Sequence, residues 1–140
     1  MNIYFSCSLT GGRRDEQIYR DIVSHLAELG HEVPTAHLAE PAVMDLEKVV
    51  EPADVFARDI GWIEACDALL AEVSTPSHGV GYEIAYALGL GKPVLCCFRR
   101  GERVSKMITG NDSPGLVVRD YGDLPEALEV VDVFLAGVGS

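Results

Sequence analysis

Two carboxylates interrupt otherwise apolar helical patterns. Glu83 lies in "TPSHGVGYEIAYALGLG", 75–91, where it is the only acidic side chain, and it borders the stripe formed by Val80, Ile84, Ala87 and Leu88. Asp59 lies in 52–66, where a helical projection puts Val55, Phe56, Trp62, Ile63 and Cys66 on one face with Asp59 inside it, and Asp54, Arg58 and Glu64 away from its centre. An ionised carboxylate is costly to bury alone, so each must be hydrogen-bonded or line a cavity. Both also have ordinary explanations. Asp59 can tie down a loop, and a first-turn glutamate gains about 0.3–1 kcal/mol from the helix dipole. Tyr4, in the first apolar run, is either a core aromatic or a phenol directed at a partner. Two carboxylates and a phenol beside an anion cradle suit chemistry at the anomeric carbon of a phosphorylated sugar. One carboxylate stabilises or traps the oxocarbenium-like centre, and a second acid handles the leaving group's proton.

Short apolar runs alternate with helical-period segments, the pattern of a parallel sheet wrapped by helices. Strands are expected at 2–6, 32–35, 68–73, 92–98 and 115–121. A helix starts near Arg13, with Ile18, Ile22, Leu26 and Leu29 on one stripe and Gly30 as its stop; further helices cover 52–66, the segment around Glu83, and a closing stretch through Leu124, Ala127, Leu128, Val131 and Leu135. Pro34 and Pro41 favour irregular chain through 36–50, although "LEKVV" has helical character. The order predicts an α/β, flavodoxin-like doubly wound sheet of five parallel strands, order 2-1-3-4-5, with helices on both faces and one domain over 1–140. Ligands in such sheets bind beyond the carboxyl ends of the strands where the winding reverses, here between the loops at 7–12 and 74–81. Both loops are rich in Ser and Gly. They suit an anion bound by backbone amides at a helix start, or they are simply tight strand-to-helix turns.

The 140 residues are 48% hydrophobic and 24% charged, with a formal net charge of −11. That charge disfavours broad contact with polymeric nucleic acid or an anionic membrane, while leaving room for one small anion. No run reaches membrane-span length and the N-terminal segment lacks the pattern of a secretory signal, so a cytoplasmic location is expected. Cys7, Cys66, Cys96 and Cys97 have neither CxxC spacing nor scaffold density, and are read as reduced, mostly apolar thiols, with no metal site.

The stretches "YFSCSLTGGRRDEQIY", "RDIGWIEACDALLAEVSTPSHGVGYEIAYAL" and "RVSKMITG" resemble the 2'-deoxynucleoside 5'-monophosphate N-hydrolases, relatives of the nucleoside 2'-deoxyribosyltransferases. The resemblance implies hydrolysis of the bond between base and deoxyribose, without a cofactor, by a homodimer or larger oligomer of flavodoxin-like fold. It implies Glu83 as the nucleophile, Asp59 as the acid and Tyr4 as the tyrosine that orients the nucleophile and lies against the 2' edge of the sugar. It places the 5'-phosphate among Ser77, Gly79 and the loop containing Ser6, Ser8, Gly11 and Gly12, with Ser105 lent across the dimer interface. His37 falls near the base, or is a plain loop histidine. A transferase that passes the sugar to another base, and a catalytically silent nucleotide-sensing module, are the rival readings; Ser105, leaving room for a phosphate, favours hydrolase over transferase.

Overall fold

Among the described residues four short strands carry the sheet: β1 (Ile3–Ser6), β2 (Ala68–Glu72), β3 (Val94–Arg99) and β4 (Leu116–Tyr121). They lie in chain order and every neighbouring pair is parallel. The computed structural model describes residues 1–9, 15–39 and 50–139. Around the sheet lie α1 (Glu16–Glu28), a 3-10 turn (Ala36–Ala39), α2 (Pro52–Ala65), α3 (His78–Gly89), the short α4 (Lys106–Thr109) and α5 (Leu124–Val138). The arrangement is an α/β fold with a parallel sheet. β1 and β2 are buried at every position, which explains why they read as continuous apolar runs instead of alternating ones.

Local chemistry sets the helix boundaries. Ser77 caps α3 by accepting from the Val80 amide, and Asp123 caps α5 by accepting from the Glu126 amide at 3.0 Å. Proline stands in the first turn of α2 and of α5, where its missing N–H costs nothing. After α1 the chain turns through Gly30 at φ 87°, a conformation that favours glycine.

The sheet separates two cores. On one face Ile3, Phe5, Ala68 and Leu70 meet α1 and α5 through Tyr19, Ile22, Leu26, Ala127, Val131 and Leu135. On the other, Tyr4, Leu69 and Ala71 meet α2 and α3 through Ile63, Val80, Ile84 and Ala87. Alternation along β1 thus sends Tyr4 toward α2 and α3 and Phe5 toward α1. All four cysteines are buried thiols outside any disulfide. Among the described residues no helix is long and apolar enough to cross a membrane.

The expected second strand differs. Among the described residues the sheet has four strands, not five, and the segment at 32–35 contributes a single parallel bridge between Asn2 and Glu32. The Ile3 amide donates to the Glu32 carbonyl at 2.8 Å, but the next donor the ladder needs would come from Pro34, which has no N–H. A side chain takes over: the Thr35 hydroxyl accepts from the Phe5 amide at 3.0 Å and donates to the Phe5 carbonyl at 2.7 Å. Two inward assignments also change. Phe56 is 55% exposed and packs edge-on to Tyr82, and Leu29 at the end of α1 is 51% exposed. The "LEKVV" segment and the helix start near Arg13 lie outside the described residues.

Replacing Thr35 by Val should therefore leave both buried polar groups of Phe5 without their partner and destabilise the protein by about 1–3 kcal/mol, read from the denaturant midpoint at unchanged slope. Thr35→Ser should recover most of the loss. Equal stability of the valine variant and the native protein would contradict this account of the sheet edge.

Candidate active site

Tyr4 and Ser6 stand two residues apart on β1, so both side chains leave the same face of the sheet. Above them runs α3. Glu83 is three residues after Val80 and four before Ala87, both buried, and this spacing aligns its carboxylate with the sheet-facing stripe. The result is direct contact: the Tyr4 hydroxyl donates to Glu83 Oε2, and the Ser6 hydroxyl donates to Oε1 at 3.1 Å. Tyr4 is fully buried, Ser6 nearly so, and Glu83 is partly exposed. Burial pushes the Glu83 carboxyl up to about 8 from its ordinary 4.5. A carboxylate with one hydroxyl on each oxygen, poised near neutrality and open on one side, suits a nucleophile or a general base.

Asp59 sits on α2, on the same side of the sheet as Tyr4 and Glu83, one turn before the buried Ile63. Its Oδ1 accepts from Arg58 Nε at 2.9 Å. The Arg58 guanidinium lies over the Trp62 ring, 4.9 Å from its centroid, and the His37 ring meets Trp62 edge-on at 6.0 Å. His37, on the 3-10 turn, and Asp59 are thus joined through Trp62 and Arg58 into one wall. Tyr4, Ser6 and Glu83 are brought together by direct bonds; Asp59 shares their face of the sheet but is bonded to Arg58.

Ser77 and Ser105 line one cavity of about 950 Å³, together with Thr75, His78, Arg103 and Lys106; among the described residues no carboxylate, Glu83 included, lines it. In a chain of net charge −11 this is a local concentration of positive charge suited to an anion. The Ser77 hydroxyl also accepts from the Val80 amide at 3.4 Å, and Ser105 caps α4 by accepting from Met107 at 3.1 Å. Gly79 is exposed, and a Cβ there would come to 3.9 Å from the Ser77 hydroxyl. Ser8 is fully buried. Gly11 and Gly12 lie outside the described residues. Among the described residues no group of three or more His, Cys, Asp or Glu is arranged to hold a metal ion.

Three features escaped the sequence reading. Arg58 and Trp62 join Asp59 to His37, and Arg103 and Lys106 line the cavity. The third is Glu72, fully buried at the end of β2, where it accepts from the Ser74 amide at 2.7 Å, the Ser74 hydroxyl at 2.9 Å and the Tyr121 hydroxyl. Its signal was present: a glutamate interrupts the apolar run "ALLAEV".

The sequence model of the nucleoside 2-deoxyribosyltransferase family matches residues 3–127. The chain belongs to the nucleoside 2-deoxyribosyltransferase family. The match spans Tyr4, Ser6, Asp59, Ser77, Glu83 and Ser105. A Methanosarcina mazei protein provisionally named 2'-deoxynucleoside 5'-phosphate N-hydrolase 1 is 40% identical over 134 residues, covering 96% of this chain and 83% of its own. The 5-hydroxymethyl-dUMP N-hydrolase of Rattus norvegicus is 40% identical over 127 residues, covering 87% of this chain and 73% of its own. In fold, the chain is similar to a Clostridium botulinum CMP N-glycosidase, with a TM-score of 0.73 at 21% identity, over 95% of this chain and 99% of that one.

The raised Glu83 carboxyl has a consequence for this family member's stability. The folded protein binds that proton more tightly than the unfolded chain, so the stabilisation is complete below about pH 4.5 and lost as pH rises through about 8. In Glu83→Gln that loss is absent. Thermal midpoints measured from about pH 5 to about pH 9 should converge with the native protein at the acid end and exceed it at the alkaline end. A parallel decline of both proteins would contradict the burial assigned to Glu83.

Proposed function

We propose that this chain hydrolyses the N-glycosidic bond of 2'-deoxynucleoside 5'-monophosphates, releasing the base and 2-deoxyribose 5-phosphate through a covalent intermediate on Glu83. The observation that carries this reading is the Glu83 carboxylate, held by Tyr4 and Ser6 on the face of the sheet that also carries Asp59. The N-hydrolase names of relatives at 40% identity favour the same bond.

In this mechanism the ionised Glu83 attacks C1', the C1'–N bond breaks, and its electron pair leaves with the base, which is protonated by Asp59. A water then gives its proton to Asp59 and attacks C1'. The bond from C1' to the Glu83 oxygen breaks and the carboxylate is restored. Tyr4 steers the carboxylate and crowds the 2' edge of the sugar, disfavouring a ribose hydroxyl. The 5'-phosphate rests against Ser77, Gly79 and the cation-lined cavity, and His37 with Trp62 borders the base. The reading includes a cytoplasmic homodimer in which Ser105 of the partner subunit meets the phosphate, and needs no cofactor.

The test is release of free base from a panel of deoxynucleoside 5'-monophosphates, with and without an acceptor base. Base plus 2-deoxyribose 5-phosphate is expected; a new nucleotide in the presence of acceptor would instead support transfer, and binding without base release would support a sensing module. Glu83→Gln should lose at least ~10³-fold in turnover while still binding nucleotide. Because the attacking form is the carboxylate, the native kcat/KM should rise with pH until about 8. Tyr4→Phe should relax discrimination against ribonucleotides. Full activity in Glu83→Gln would overturn the assignment.

A further inference from the structure

Beyond the Tyr4–Glu83 contact, a second polar system gathers at the carboxyl ends of β2, β3 and β4. Glu72 closes β2 and is fully buried, Asp15 just before α1 is 1% exposed, and Ser74 and Thr75 in the turn between β2 and α3 are also buried. Their bonds form one connected set. Glu72 accepts from the Ser74 amide, the Ser74 hydroxyl and Tyr121 at the end of β4. The Ser74 hydroxyl in turn accepts from the Arg99 amide at the end of β3, at 2.8 Å. The Arg99 guanidinium pairs with Asp15, which accepts from the Thr75 hydroxyl at 2.8 Å. The chain then runs to Ser77, the cap of α3, and on to Glu83.

Stability alone gives no reason for this design. Desolvating two carboxylates is costly before pairing, and well-packed apolar side chains of similar volume commonly serve a core as well or better. Burial also holds the Glu72 carboxyl above its ordinary range despite its three donors. What the bonds achieve is immobilisation. Ser74 and Thr75 are each fixed by side-chain bonds to other elements, so the turn that carries Ser77 and Gly79 is ordered before any ligand arrives, and the ordering entropy is not charged against binding.

We propose that the network joining Glu72, Ser74, Tyr121, Asp15, Arg99 and Thr75 is a positioning device for the turn between β2 and α3, holding Ser77 and Gly79 in place for a nucleotide's 5'-phosphate. Glu72 is its central positioning residue and touches no substrate. The role rests on the phosphate placement proposed above and adds the residues that make the placement selective: the preference for a nucleotide over its nucleoside originates in this buried network.

Three variants of decreasing severity test it: Glu72→Gln, Thr75→Val and Tyr121→Phe. In the Glu83→Gln background, calorimetry gives the Kd for each deoxynucleoside 5'-monophosphate of a four-base panel and for the matching deoxynucleoside. Each network variant should weaken nucleotide binding roughly tenfold or more while leaving nucleoside binding within about twofold. Ser77→Ala should weaken nucleotide binding in the parent and add little once Glu72→Gln is present, because both act on one contact. Equal weakening of nucleotide and nucleoside, additive effects of the two substitutions, or loss of the folded far-UV spectrum in all three variants would overturn the proposal. A native protein that prefers nucleotides but releases no base overturns the hydrolase reading and leaves this inference standing. One with no preference for the phosphate overturns both.

Discussion

The carboxylate of Glu83 against β1 is the constraint on which the rest of the molecule depends. Burial opposes its charge and pushes the group up to about 8, while Tyr4 and Ser6 hold both oxygens in a fixed direction. These effects act on different properties. Desolvation sets the energy of the charged form, and the two hydroxyls set its geometry. A solvated glutamate would be ionised but unheld, and a fully enclosed one would be held but unreachable. Partial exposure on the open side of α3 is the compromise, and it is made possible by rigid partners: Tyr4 and Ser6 belong to a strand buried at every position.

Charge is distributed to match. The chain carries a net −11, yet the cavity beside the start of α3 is lined by His78, Arg103 and Lys106 and, among the described residues, by no carboxylate. A long-range field that repels polyanions coexists with a local patch whose charge suits one small anion. The two faces of the sheet carry separate polar groups. Glu83, Asp59 and Tyr4 share the face under α2 and α3, whereas Glu72 and Tyr121 lie on the face of α1 and α5, with Glu72 bonded to Ser74 in the turn that leads to Ser77.

Much of this was legible because it depends on short-range pattern. The strands read as apolar runs because β1 and β2 are covered on both faces, and Glu83 stood out because Val80, Ile84 and Ala87 define a stripe that it joins. Tyr4 and Ser6 share a face by the two-residue period of a strand, although only the fold reveals that Ser6 directs its hydroxyl to Glu83. The strand expected at 32–35 shrinks to one bridge because Pro34 removes a donor and the Thr35 side chain replaces the ladder, a substitution of side chain for backbone that periodicity does not register. Phe56 fits the inward stripe by projection but lies where α2 meets Tyr82 at the surface. The partners of Asp59 and Glu72 were hidden for a different reason: Trp62 with His37, and Tyr121 with Glu72, meet only through tertiary packing across distant segments.

The central claim is that Glu83 forms a bond to the sugar. Acid quenching during turnover of a deoxynucleoside 5'-monophosphate, followed by proteolysis and mass spectrometry, tests it most directly. A 2-deoxyribose 5-phosphate adduct on the peptide containing Glu83, formed and lost at rates compatible with turnover, is the predicted result. An adduct confined to another residue, or steady base release with no adduct on any peptide at any quench time, would contradict it.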